Sequence, residues 1–333
     1  MPPSPVRPRR GGTRRDALTI VAVAAVVVTV AMIVLGSTVR VTNSGMGCAT
    51  WPLCNGHVGP IDRFHALMEQ SHRYLATVVS ALVIGTAFLA WRQRRHRHGL
   101  LGPALAAVAA LAVQVGLGAL TVLAHNAGWT VGLHLVCAEV LLALAAVAAQ
   151  RAVASARGDA GSLFSLRHRD PWAVAMTGLL LATIVAGTLV VDGGAEAACP
   201  SWPLCPSGAP GHLVALQLVH RSLAASAGVA VLVSAWRLRR RTGRAAGALV
   251  VVGLLALQGA AGGVTAVLRG PAGAADVHLA LATLLWLTAV LLSFGPSGRL
   301  PLGTEDLGMP ADHELAEPLG GKNLEQAEVS VVS

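Results

Sequence analysis

The chain has 333 residues, of which 54% are hydrophobic and only 12% charged, with a formal net charge of +9. Soluble domains average about 25% charged residues, so this composition excludes an ordinary soluble globular protein. The basic excess does not mark a nucleic-acid partner either, because 20 of the 25 basic residues sit in alternate connections between apolar runs and in the two termini.

Eight apolar runs, at about 17–38, 66–91, 102–123, 131–150, 172–191, 213–236, 246–268 and 275–294, approach or exceed the roughly 20 residues that cross a bilayer as a helix. Within hydrocarbon only helices and closed barrels satisfy the backbone, and these runs are continuous rather than alternating, so they predict helices. The expected fold is an all-α integral membrane protein. Its eight transmembrane helices would form two tandem four-helix bundles related by pseudo-twofold symmetry. The arginine clusters at 7–15, 92–97, 151–169 and 237–244 place both termini in the cytoplasm of a cell (plasma) membrane protein.

Residues 1–15 read as a disordered basic segment that anchors the first run. That run is too long for the core of a cleaved signal peptide, and no small-residue cleavage motif precedes Arg40. Residues 16–151 form the first unit of four runs. After its first run comes Cys48-Ala-Thr-Trp-Pro-Leu-Cys54. The second run carries Glu69, His72 and Arg73, the third Gln114, and the fourth His134 and Cys137. Residues 152–171 form a cytoplasmic linker.

Residues 172–295 repeat the plan. Cys199-Pro-Ser-Trp-Pro-Leu-Cys205 follows the fifth run, the sixth carries Gln217, His220 and Arg221, the seventh Gln258, and the eighth His278. Gln114 precedes His134 by 20 residues, and Gln258 precedes His278 by 20. Small residues around both glutamines would let neighbouring backbones approach closely. The repeats are expected to be parallel, related by an axis along the membrane normal, because each unit holds an even number of helices. Residues 296–333 are polar, acidic and rich in Gly and Pro, and read as a flexible cytoplasmic tail.

Intramembrane ionisable residues are costly and usually functional. His72, His134, His220 and His278 lie one on each even-numbered run, all in the outer part of the membrane. A single such histidine is often only an interhelical hydrogen bond. Four at repeat-equivalent positions point to two sites, each with a pair of imidazoles facing across a four-helix slot. Bis-imidazole ligation of haem iron is the natural use of such a pair. Zinc fits less well, since neither half gathers three or four ligands.

Arg73 and Arg221 either snorkel to the interface or pair with haem propionates. Glu69 shares a helix face with His72 and is matched in the second half by Gln217. A carboxylate can move protons or stabilise a developing cation, and an amide cannot. The first bundle is therefore read as catalytic and the second as an electron-transfer or structural haem site. The plainer reading of Glu69 is a pair with Arg73. Cys48–Cys54 and Cys199–Cys205 lie outside, where disulfides persist. They serve as staples shaping a lid or as redox-active pairs. Cys137 reads as a small packing residue.

The constellation Glu69-x-x-His72-Arg73, His134, His220-Arg221 and His278, with two Cys-x-x-Trp-Pro-Leu-Cys loops, resembles the haem A synthase family, in its bacterial branch. The resemblance covers about residues 17–295. It implies an oxidoreductase that converts the C8 methyl of haem O to the formyl of haem A, for terminal oxidase assembly. It implies a resident haem b held by His220 and His278. Haem O would bind as substrate in the first half, near Glu69, His72 and His134, with an opening toward lipid for its farnesyl tail. A haem O synthase is the natural partner, the electron acceptor is unknown, and homo-oligomerisation stays open. In the family, the pair matching Cys48–Cys54 is the one tied to activity.

The alternative is a di-haem membrane electron-transfer protein, a cytochrome b-like quinone oxidoreductase. Duplicated bis-histidine bundles would serve it equally, but it does not need the difference between Glu69 and Gln217. A small-molecule transporter fits worse, because its site belongs near the midplane.

Overall fold

The computed structural model describes residues 17–294, apart from 49, 57, 59–62, 98, 158–170, 204, 206–208 and 243–244. The expected basic N-terminal segment, most of the linker and the C-terminal tail lie outside the described residues.

Eight α-helices make up the described regular structure. They are α1 (Ala17–Val41), α2 (Phe64–Arg92), α3 (Leu101–Leu123), α4 (Gly128–Ala156), α5 (Pro171–Asp192), α6 (Gly211–Thr242), α7 (Ala245–Val267) and α8 (Ala272–Phe294). All eight are long and apolar enough to span a membrane. The protein is thus a multi-pass, all-helical membrane protein.

Several helices outrun the apolar runs that announced them. α4 continues to Ala156 because its polar residues at that end are held: Gln150 Nε2 donates to the Leu291 carbonyl at 2.8 Å, and Arg151 donates to the Gly99 carbonyl. The far ends of α1 and α5 close alike. Ser44 N bonds the Val39 carbonyl across Asn43 at φ 52°, and Ala195 N bonds the Val190 carbonyl across Gly194 at φ 66°. A left-handed residue turns the chain and satisfies the last carbonyls, which suits Gly and, more rarely, Asn.

Helix contacts trace two closed circuits. α1 packs on α2, α2 on α3, α3 on α4, and α4 back on α1; α5, α6, α7 and α8 repeat the circuit. The circuits meet where α4 touches α5 and α8, and where α1 touches α8. Lipid tails are as apolar as leucine, so close packing rather than water exclusion must hold these helices together. The largest buried cluster lies at the junction and includes Leu142, Met176, Val231, Leu285 and Trp286. A second, at the arginine-rich end of the first circuit, is mostly alanine: Ala22, Ala87, Ala90, Ala104, Ala148, Ala149 and Ala152. Large apolar side chains such as Val27 and Leu249 face outward, as a lipid-facing surface requires.

Candidate functional site

The chemistry gathers at the end of the helices that carries the cysteine loops. Cys48–Cys54 and Cys199–Cys205 are both disulfide-bonded. Cys48, Cys54 and Cys199 are buried, and the first pair packs on Ala66 at the start of α2. Gly47 is required there, because a Cβ would lie 2.3 Å from the His65 carbonyl.

Each loop is tied to its helix by one arginine. Arg73 donates to the carbonyls of Cys48, Thr50 and Pro52 at 3.3, 2.8 and 3.3 Å. Arg221 donates to those of Cys199, Ser201 and Pro203 at 2.9, 2.9 and 3.1 Å. The two arginines therefore act on corresponding loop carbonyls, a role that sequence reasoning did not assign to them.

Glu69 is buried beneath the first loop. Its Oε2 accepts from Cys48 N at 2.8 Å, and its Oε1 pairs with Arg73 Nη2 at 2.5 Å. The plainer pairing with Arg73 is present, and it is joined by a direct bond to the disulfide's own backbone. Gln217 instead donates to the Ala195 carbonyl at 2.8 Å. The first half thus buries an acid joined to both loop and helix, and the second a neutral amide.

The four histidines share a setting that sequence reasoning missed. Each ring packs against a glycine on another helix. A Cβ on Gly36 would lie 3.0 Å from His72 Cε1, on Gly118 3.2 Å from His134 Cε1, on Gly187 3.3 Å from His220 Cε1, and on Gly262 2.9 Å from His278 Cε1. Within each half the two rings are near enough for their charges to interact, His72 with His134 and His220 with His278. His134 Nε2 and Gln114 Nε2 are 3.2 Å apart, and Gln258 is a hydrogen-bond partner of His278. The recurrent spacing of glutamine, glycine and histidine was the available signal.

These rings fit a ligand that the polypeptide does not itself supply. Nδ1 of His72, His134 and His278 is buried with no hydrogen-bond partner. A buried polar atom left so costs about 1–3 kcal/mol. His220 Nδ1 donates to the Thr183 carbonyl at 3.1 Å, which leaves Nε2 free to meet a ligand. Among the described residues no three His, Cys, Asp or Glu side chains form a metal-binding group. Two imidazoles per site, with the remaining ligands supplied by the cofactor, match haem rather than a bare metal ion.

The glycines make a prediction. Gly262→Ala puts a methyl group inside the contact distance of the His278 ring, and such overpacking costs about 1–3 kcal/mol. We expect the purified variant to keep its helical circular dichroism but to bind less haem than the wild type. Unchanged absorbance would contradict the packing role.

One acidic residue escaped the sequence reading altogether. Glu139, on α4, is fully buried at the junction of the circuits. Its sole signal was a lone acid inside the run 131–150.

Sequence similarity shows which proteins this chain is related to. The family model described as "Cytochrome oxidase assembly protein", COX15-CtaA, matches residues 19–65 and 61–290. A "Heme A synthase" of Symbiobacterium thermophilum is 31% identical over 325 residues, 89% of this chain and 99% of that relative. One of Halalkalibacterium halodurans is 30% identical over 178 residues, 53% of this chain. The match spans 60% of that relative's length, and 58% of the corresponding protein of Alkalihalophilus pseudofirmus. A "Protoheme IX farnesyltransferase" of Halobacterium salinarum is 32% identical over 149 residues, 44% of this chain and 32% of the relative. With a family match along nearly all of the described helices, and a relative covered almost end to end, the chain belongs to the COX15-CtaA family of cytochrome oxidase assembly proteins.

Proposed function

We propose that the protein is a haem A synthase, an oxidoreductase that carries the C8 methyl of haem O to the formyl of haem A. The observation that carries this reading is the asymmetry between two otherwise matching sites. Both pair two glycine-packed histidines, but among the described residues only the first buries a carboxylate, Glu69, beside them, where the second has the amide of Gln217. The relatives named "Heme A synthase" support it.

On this reading the first four-helix bundle binds haem O, with His72 and His134 as iron ligands. The second binds a resident haem b through His220 and His278. The resident haem supplies one-electron chemistry when bound. The chain's own residues do the rest. Oxidising a methyl group removes protons as well as electrons, and Glu69 is the base placed to accept them at its carboxylate oxygens. Cys48 N and Arg73 hold that carboxylate in position. The disulfide staples the loop over the site, Arg73 and Arg221 fix each loop by its carbonyls, and the two guanidiniums would supply positive charge to haem propionates.

The arginine clusters support cytoplasmic termini and an outer face carrying both loops. A haem O synthase is the partner that supplies the substrate. The farnesyltransferase that contains a region similar to this chain supports that link.

Expression in a host that makes haem O but no haem A tests the function. Haem A is expected in its membranes, and continued accumulation of haem O alone would overturn the reading.

A further inference from the structure

Glu139 lies outside both histidine sites and has no role in the function described above. It sits five residues after His134 on α4, and Thr283 sits five residues after His278 on α8. At about 1.5 Å and 100° per residue, both side chains stand about 7.5 Å further along their helices than the histidines. Both also point about 140° away from them, out of their own circuits. They meet at the junction, where Thr283 Oγ1 donates to Glu139 Oε1 at 2.6 Å. Trp286 Nε1 adds a bond to the Glu139 carbonyl at 3.3 Å. The acid is thus equally placed along the axis from a histidine of each site.

Oε2 of Glu139 is buried with no hydrogen-bond partner. Among the described residues no counter-charge serves it. α4 itself carries His134, Cys137 and Arg151; α8 carries Asp276 and His278; α1 carries only Arg40 and α5 only Asp192, near their cysteine ends; α3 carries no ionisable residue. None of these acts on the Glu139 carboxyl, whose one side-chain partner is Thr283. A carboxyl kept for packing alone would be better replaced by an apolar residue, since a half-satisfied buried acid is costly.

We propose that Glu139 is a redox-linked proton site shared by the two histidine sites. Its carboxylate Oε2 takes up one proton when an electron reduces ferric to ferrous iron in either adjacent site. The O–H bond breaks and the proton leaves to bulk water when an external one-electron acceptor, ferricyanide in a titration, reoxidises the iron. The electron comes from oxidation of the bound haem's methyl group, or from dithionite in a titration. An added negative charge in a low-dielectric interior is thereby neutralised locally. This inference rests on the haem reading of the two sites.

The test is a spectroscopic redox titration of the full-length, haem-loaded protein at several pH values. In the wild type we expect the reduction equilibrium to shift with pH by up to tenfold per unit. In Glu139→Gln, which keeps an oxygen for Thr283, that dependence is expected to flatten while haem content and band shape stay unchanged. A wild-type slope in the variant would overturn the proposal and leave the haem reading standing. A wild-type protein without haem would overturn both. If the variant does not assemble, redox-difference infrared spectroscopy of the wild type and of Thr283→Val decides. A carboxylic-acid carbonyl band that grows on reduction, and moves when the Thr283 bond is removed, supports the proposal. No such band, or one indifferent to Thr283, overturns it.

Discussion

Glu69→Gln is expected to leave haem bound in both halves and to stop conversion of haem O. The substitution keeps size and an acceptor oxygen, so either Cys48 N or Arg73 retains its bond, and Arg73 keeps its loop carbonyls. What is lost is the ability to accept a proton. General acid–base groups contribute about 10²–10⁴-fold, so turnover should fall by at least that range. The measurement is the ratio of haem A to haem O in extracts, beside the haem content of the purified variant. Conversion within a fewfold of wild type would remove Glu69 from the chemistry. It would reduce the acid to a strut between loop and helix. The reverse exchange, Gln217→Glu, is not expected to confer activity on the second half, whose amide serves the Ala195 carbonyl.

His278→Ala is expected to abolish the resident haem b while the helices remain assembled. The His278 ring faces Gly262 and interacts with His220, and its Nδ1 has no partner of its own. Its removal takes no internal hydrogen bond from Nδ1, and the stability cost is that of a cavity and of the lost contact with Gln258. For a large buried side chain this is about 2–5 kcal/mol, tolerable in a bundle of this size. Loss of the low-spin haem b spectrum with retained helical circular dichroism is the predicted result. Full haem b occupancy would refute the placement of the resident haem between α6 and α8. His134→Ala provides the contrast. It should spare the resident haem and weaken retention of the substrate.

The helices were legible because each is a long apolar run, and a bilayer leaves such a run little choice but helix. Their ends were less so. The polar residues that prolong α4, Gln150 and Arg151, are satisfied by Leu291 and Gly99, contacts that exist only after packing. The histidine pairs were legible because the chain states them twice. Gly36, Gly118, Gly187 and Gly262 were not, because glycine is common in membrane helices and only the folded rings reveal which ones matter.

Arg73 and Arg221 were read as interfacial or propionate-binding. Their hold on the loop carbonyls depends on how each disulfide loop curls back over its helix, which composition does not encode. Glu139 stayed hidden for another reason. Its counterpart at the same register is Thr283, an uncharged residue that a search for repeated ionisable groups passes over.

On the proposed function this chain changes the haem it binds. Chromatography with mass spectrometry of haems extracted from the purified protein, co-expressed with a haem O synthase, tests it most directly. Haem b together with haem A or its hydroxylated precursor is the expected result. Haem b alone, with haem O available in the same membrane, would contradict it and leave a di-haem electron carrier.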